Sequence, residues 1–271
     1  MSGIVWLASY PKSGNTWVRA FIANLRLGDR GPANINDLQI PTAANRHLFD
    51  EVAGVEASDL TPEEIARLRP RVYRQIAEDS AETVFLKIHD ACGPIVPVDA
   101  TTGAIYIIRN PLDVAVSFAH HMSKPIDWSI EEMASNEAGY YSDLPIRNLN
   151  QHLLSWSGHV SSWVDQRAFP VHVVRYEDLH ERPMAAFTAL ATCCGLQNKP
   201  NSVQLAIERS SFEVLQRQEL NAGFRERPEK LALFFREGRA AVWRGVLSPA
   251  QVARIIADHE PVMERFGYLP L

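Results

Sequence analysis

Strands alternating with helices along 271 residues predict an α/β fold, a mainly parallel sheet flanked by helices on both faces, as a single domain over residues 1–271. Three observations lead there. Continuous apolar runs at Ile4–Ser9, 83–88, 104–108 and 171–176 read as strands buried on both faces. Segments of helical periodicity separate them. No Gly/Ser-rich or Pro-rich linker divides the chain, and its length suits one large domain.

Taken in order, the strand Ile4–Ser9 leads directly into the loop Tyr10-Pro11-Lys12-Ser13-Gly14-Asn15. From about Thr16 the spacing of Val18, Phe21, Ile22 and Leu25 predicts a helix, stopped by Gly28 and Asp29-Arg30-Gly31-Pro32. Residues 29–60, rich in Pro and Asn, read as irregular. Thr61-Pro62-Glu63-Glu64 then opens a helix with a cap, a proline at its first position and acids in its first turn. The second strand, 83–88, ends in His89, and the third, 104–108, ends in Arg109. Asn110-Pro111 begins a helix through Val114 and Phe118. Helices are also expected over 149–164, around 184–194 and over 249–266, with the fourth strand at 171–176.

In an open parallel sheet, ligands bind beyond the carboxyl ends of the strands. Lys12, His89, Arg109 and Tyr176 each stand at or just past such an end, so four chemically capable residues are expected along one edge.

Composition narrows the function classes. A net charge of −5 with scattered basic residues argues against general nucleic-acid binding. Three cysteines, two of them adjacent, form neither a disulfide framework nor a metal-ligand spacing, and suit a reducing compartment. The apolar run at the start is too short to span a membrane and lacks a basic leader. A cytoplasmic protein with no membrane segment is expected.

The loop after the first strand is the strongest local signal. Gly14 lets backbone amides approach an anion, and the helix start adds unpaired N–H donors and a positive dipole end. Lys12 adds a full charge, and Ser13 and Thr16 further donors. The arrangement is P-loop-like, but the standard pattern places its lysine after the second glycine, whereas Lys12 precedes Gly14. The stretch Tyr10-Pro11-Lys12-Ser13-Gly14-Asn15-Thr16-Trp17 resembles the 5′-phosphosulfate loop (Y-P-K-[SA]-G-[TN]-T-W) of sulfotransferases that use 3′-phosphoadenosine 5′-phosphosulfate (PAPS). The resemblance implies that Lys12 contacts the bridging oxygen and the transferred group, with Ser13, Gly14, Asn15 and Thr16 around the phosphosulfate and Trp17 beside the adenine.

A second stretch follows about ninety residues later. Arg109 at a strand end and Ser117 two helical turns on can converge on one phosphate, with Arg109 supplying a planar fork of donors. Residues 109–117 are similar to the same family's second motif, R-[ND]-P-x-D-x-x-x-S, and by that similarity Arg109 and Ser117 hold the 3′-phosphate. Weaker matches are Tyr176 at the adenine edge and Ser210-Ser211-Phe212 beside the base. Residues 235–244 resemble a lid motif, R-K-G-x-x-G-D-W-K, in which Arg236 and Gly238 are implied phosphate contacts. Here Glu237 replaces the lysine, and Ala241-Val242 replace Gly-Asp. Either Glu237 points outward or the lid sits differently, and Arg239 is expected to compensate for it.

His89 closes a buried strand on the ligand edge, and Lys87, two residues earlier, points to the same side. A histidine accepts a proton at neutral pH and as a general base supplies about 10² to 10⁴ in rate. Lys87-Ile88-His89 resembles the family's K-[TS]-H segment, which carries the base. The implied reaction is in-line attack of an acceptor hydroxyl, or an amine, on sulfur. Lys12, Lys87 and the loop amides would stabilise charge on the departing 3′,5′-diphosphoadenosine (PAP), with Ser117 holding Lys12 back until acceptor is bound, and no metal. Acceptor recognition is assigned to 29–80, 118–165 and 213–233, where His120, His121, Met122, Trp128, Tyr140, Tyr141, Trp156 and Phe224 suggest an aromatic or partly apolar small molecule or natural product. Oligomeric state is left open. Two other classes are a P-loop small-molecule kinase, which requires magnesium and a lysine after the glycine, and a nucleotide-binding protein without catalysis, which has no need of His89.

Overall fold

The computed structural model describes residues 3–140, 147–196 and 199–270. In chain order the elements are β1 Ile4–Ser9, α1 Asn15–Leu27, α2 Arg46–Ala53, α3 Pro62–Glu78, β2 Val84–Ile88, β3 Thr101–Ile108, α4 Pro111–Met122 and α5 Ile126–Ala134. Then come β4 Gly139–Tyr140, β5 Gln151–His152, α6 Trp156–Val164, β6 Val171–Arg175, α7 Tyr176–Glu181, α8 Pro183–Cys193, α9 Pro200–Arg209, α10 Phe212–Ala222 and α11 Pro249–Arg265.

Four strands form one sheet in the order β2-β1-β3-β6, every neighbouring pair parallel, as the apolar runs predict. Alternate residues of β1 serve two separate cores. Ile4, Trp6 and Ala8 pack with Tyr73, Trp156 and Trp163 on one face; Val5 and Leu7 pack with Phe21, Phe187 and Leu190 on the other. Both sheet faces are therefore covered, and the central strands β1 and β3 are apolar on both sides. No helix among the described residues is long and apolar enough to cross a membrane.

Several elements differ from expectation. Within 29–60 the helix α2 is capped by Asn45, whose side chain accepts from Leu48 N; a residue read as a breaker is a cap. Residues 149–155 are not helical: β5 pairs antiparallel with β4, Leu154 is left-handed (φ 61°), and the helix expected from 149 begins only at Trp156, where Ser155 caps it. The helices α9 and α10, unmarked in the sequence reading, start with Pro200 at the first helical turn and with the Ser211 cap.

A buried ion pair fixes the turn beyond β2. Arg69 of α3 donates to both oxygens of Asp90 at 2.9 and 2.6 Å, and the two side chains are 4% and 3% exposed. Asp90 also accepts the amide of His152, and its carbonyl accepts Trp163 Nε1. Fully paired in this way, the charges anchor the residue directly after His89.

Candidate active site

Because all four strands run the same way, their ends bring His89, Lys12, Arg109 and Tyr176 to one edge, across which opens a cleft of about 1430 Å³. Lys12, Gly14, Asn15, Thr16, Trp17, Lys87, His89, Arg109, Ser117, Tyr176, Phe212, Arg236 and Gly238 all contribute to its wall. Ser13, Ser210 and Arg239 do not.

The loop's shape depends on two left-handed residues, Lys12 (φ 68°) and Gly14 (φ 102°). A Cβ on Gly14 would lie 2.6 Å from the Tyr176 ring, so both the backbone angle and the close approach require glycine. Ser13, expected to donate at this loop, is tucked beneath the double turn, 1% exposed, and among the described residues its hydroxyl has no partner. The Asn15 side chain is also turned inward, its amide donating to Leu7 O and Ser9 Oγ. Trp17 stands edge-on to Tyr176 and tilts over His180, forming an aromatic corner on the cleft wall.

Lys12 Nζ lies 3.4 Å from His121 Nδ1 and 4.0 Å above the Phe234 ring. Its resting partners are therefore His121 and Phe234, and not Ser117 as expected. Burial, then the nearby Lys87 and Arg109 charges, bring its amine down to about 7. The same burial, with Lys12 next to it, holds His121 near 2, so the ring is neutral and accepts from the ammonium.

His89 Nδ1 donates to the carbonyl of Ser9 at 2.8 Å. That bond selects the tautomer whose Nε2 carries the lone pair. Among the described residues Nε2 has no hydrogen-bond partner, and His89 lines the cleft. Burial, reinforced by Lys87, pushes its pKa well below the ordinary 6.5, so the imidazole stays neutral. Behind it, Tyr106 OH donates to His159 Nδ1, and His159 Nε2 donates to the His89 carbonyl. The backbone of the candidate base is thus held from the core side.

Lys87 points to the same side as His89, as strand alternation predicts, yet its ammonium is engaged by Glu226 at 3.0 Å. Glu226 also receives Arg19 at 2.7 and 3.0 Å. Lys87, expected to help stabilise charge on the leaving group, is one arm of an Arg19–Glu226–Lys87 network. Burial raises the Glu226 carboxyl, but Lys87 and Arg19 outweigh it and hold the group near 2. Arg19 and Glu226 were missed in the sequence. A charged residue within the apolar stripe of α1 was the available signal for Arg19; Glu226 lies in an irregular segment with none.

Arg109 donates from one nitrogen to Lys12 O (3.0 Å) and from another to Arg239 O (3.1 Å), and its guanidinium stacks over Tyr176 at 4.3 Å. It therefore braces the first loop against the segment 235–244. Asp113, also missed, accepts the amides of Ala241 and Trp243 at 2.7 and 3.0 Å, with Ala241 left-handed at φ 59°. The departure to Ala241-Val242 thus keeps a left-handed turn pinned by an aspartate. Gly238 (φ 60°) sits against Phe212, a Cβ there falling 2.0 Å from the ring. Glu237 is exposed on the cleft wall, its carboxylate between Arg236 (3.8 Å) and Arg239 (3.2 Å). Arg239 compensates for Glu237 but does not reach the cleft. Ser210 is fully buried, its hydroxyl bonded back to Ala206 O; Ser211 lines the cleft in its place.

Of the aromatic residues expected around the acceptor, Tyr140 reaches the cleft, facing His89 and His121. Trp128 packs on Phe118, and Trp156 and Phe224 are core. Tyr141 lies outside the described residues. His120, His121 and Met122 line the cleft, and Phe118 supports Tyr140 from beneath.

A parallel sheet with a lysine-bearing loop, an arginine brace and a neutral histidine at one edge is the arrangement of an α/β enzyme whose ligand site lies beyond the strand ends. The model of the sulfotransferase domain matches residues 3–267, and the chain belongs to the sulfotransferase family. It is 24% identical to flavonol 3-sulfotransferase of Flaveria bidentis over 93% of this chain and 78% of that protein. It is likewise 24% identical to sulfotransferase 1A1 of Canis lupus familiaris, over 96% and 83%. Cytosolic sulfotransferase 15 of Arabidopsis thaliana is 26% identical over 93% and 70%. Mouse sulfotransferase SULT7A1 complexed with PAP shares the fold at a TM-score of 0.64 and 18% identity, covering 96% of this chain and 84% of that one. The protein is an enzyme of sulfuryl transfer.

Proposed function

We propose that the donor is PAPS and that His89 is the general base toward an acceptor hydroxyl. The observation that carries this is the His89 geometry: Nδ1 tied to Ser9 O leaves a neutral Nε2 on a residue that lines the same cleft as Lys12. The donor set suits a 3′-phosphorylated nucleotide. Arg109 Nε is a buried donor with no partner, and Arg236 and Ser117 share its stretch of wall. Trp17 and Tyr176 offer ring surface to the base.

In this reading an acceptor oxygen lone pair forms the new S–O bond while the bridging S–O bond breaks. Its electron pair leaves on the departing PAP, and the acceptor proton passes to His89 Nε2. Lys12, detached from His121, and the amides at the start of α1 stabilise the leaving oxygen. The step needs no divalent ion. Lys87 balances Glu226 and acts through it. The acceptor is a small molecule held against Tyr140, Phe234 and Met122, and the enzyme works in the cytosol, as the name of its Arabidopsis relative suggests for that protein.

Calorimetric titration with PAP and separately with ADP, both without metal, tests the donor. PAP is expected to bind tightly and ADP weakly. Arg109→Ala should weaken PAP by about ten- to a hundredfold, the value of a lost charge-assisted contact, and leave ADP nearly unchanged. Equal binding of both nucleotides, or binding only with magnesium, overturns the assignment in favour of a kinase.

A further inference from the structure

The sheet order sorts the cleft's cations into two groups. Arg109 and Arg236 belong to the β3 side of β1. Past β2, on the other side, residues 41–47 run along the sheet edge, Thr42 bridging to Lys87. Residues 147–149 close onto that segment, Arg46 N donating to Arg147 O at 3.0 Å and Leu149 N to Ala44 O at 2.7 Å. Arg147 in turn donates to the carbonyl of Arg225 at 3.2 Å, and Arg225 N donates to Asn36 Oδ1 at 2.7 Å. Two exposed arginines are thus set side by side on the cleft wall, beyond the base as seen from the nucleotide end.

Among the described residues, neighbouring acids do not neutralise them. Glu226, next to Arg225, is turned inward to Arg19 and Lys87. The buried Glu219 faces Arg227 at 3.7 Å. Glu229 stands on the same wall, but among the described residues neither Arg147 nor Arg225 forms an ion pair with it or with any other carboxylate. In a chain of net charge −5, an exposed pair of arginines on the wall that also carries Tyr140 and Phe234 is a specific feature.

We propose that Arg147 and Arg225 form an oxyanion subsite of the acceptor pocket, and that the preferred acceptor is amphipathic. Its hydroxyl would lie at His89, its apolar body against Tyr140 and Phe234, and a carboxylate or similar anion at the two guanidinium groups. This rests on the sulfuryl-transfer reading above and narrows its acceptor class. Paired guanidinium forks bind an oxyanion through charge-assisted hydrogen bonds, and at a solvent-facing mouth the attraction is screened by salt.

The test compares 3-(4-hydroxyphenyl)propanoate with its methyl ester as acceptors at saturating PAPS, at low and high salt. It uses the wild type, Arg147→Gln/Arg225→Gln, and the charge-keeping Arg147→Lys/Arg225→Lys. The carboxylate is expected to be favoured in kcat/KM by about tenfold or more. That ratio should fall toward unity in the glutamine variant and at high salt, and return in part in the lysine variant. A ratio at or below unity in the wild type, or one that survives the glutamine substitutions, overturns the subsite. Calorimetry of the carboxylate against protein with and without PAP decides the matter if neither acceptor turns over: binding lost in the glutamine variant supports the subsite, and no binding overturns it. PAP titration in the same series reports the donor assignment separately, so failure there is distinguishable from failure of the subsite.

Discussion

Replacing Glu226 with glutamine keeps the shape of the side chain and removes the charge that joins α1, β2 and the segment after α10. The carboxyl, ordinarily at 4.5, is held near 2 by Lys87 and Arg19 against the upward push of burial. A displacement of that size corresponds to about 3 kcal/mol at 1.36 kcal/mol per pKa unit. With the side chain 35% exposed toward the cleft, screening reduces this to about 2 kcal/mol. The variant should lose that much stability at pH 7 in urea denaturation, and its Tm should fall by about 4–8 °C. The sign with pH follows from linkage. A carboxylate depressed on folding stabilises fully above its unfolded value near 4.5 and loses that contribution as pH falls toward 2, so the gap between the proteins narrows in acid. PAP affinity should hold or rise, because an uncompensated Lys87 adds positive charge to the cleft. Unchanged stability at pH 7 would show that the network contributes nothing to the fold. A large loss of PAP binding would show that Glu226 organises the nucleotide site directly.

His89→Gln should lower turnover by about 10² to 10⁴ while leaving PAP binding within a few-fold, as measured by steady-state kinetics and calorimetry; retained turnover would remove His89 as the base. In the wild type, the acidic limb of kcat/KM should lie below 6.5, because burial and Lys87 lower the pKa of His89. His159 and His259 are buried and held near 4, burial being the main cause, so unfolding takes up their protons as pH drops below 6.5. Each should cost about 2 kcal/mol of stability between pH 7 and pH 5, read from denaturation midpoints, with little further loss below 4. Gly238→Ala would place a Cβ 2.0 Å from Phe212 at a left-handed position, so PAP affinity should fall by tenfold or more, with a smaller effect on Tm; unchanged affinity would separate the 235–244 segment from nucleotide binding.

Much of this architecture is local, and local features can be read along the chain. Apolar runs marked β1, β2 and β3 of the four-stranded sheet, because a strand covered on both faces is largely apolar on both. Parallel direction then put Lys12, His89, Arg109 and Tyr176 at one edge, and alternation put Lys87 and His89 on one side. The two stretches that resemble the family's phosphate-binding motifs are each contiguous, so the resemblance could be read along the chain. The outline failed where a residue served a cap, as Asn45 and Ser211 do, since the same residue types also mark loops.

The tertiary structure decided which partner each charged group meets. Lys87 finds Glu226 139 residues away, Asp113 finds the amides of Ala241 and Trp243, and Lys12 rests on His121 and Phe234 instead of Ser117. It also turned Ser13 and Ser210 inward and brought Arg147 beside Arg225. None of these follows from periodicity. They depend on how segments distant in sequence close over the sheet edge, where burying a charge is tolerated only beside an opposite one or a hydrogen-bonding partner.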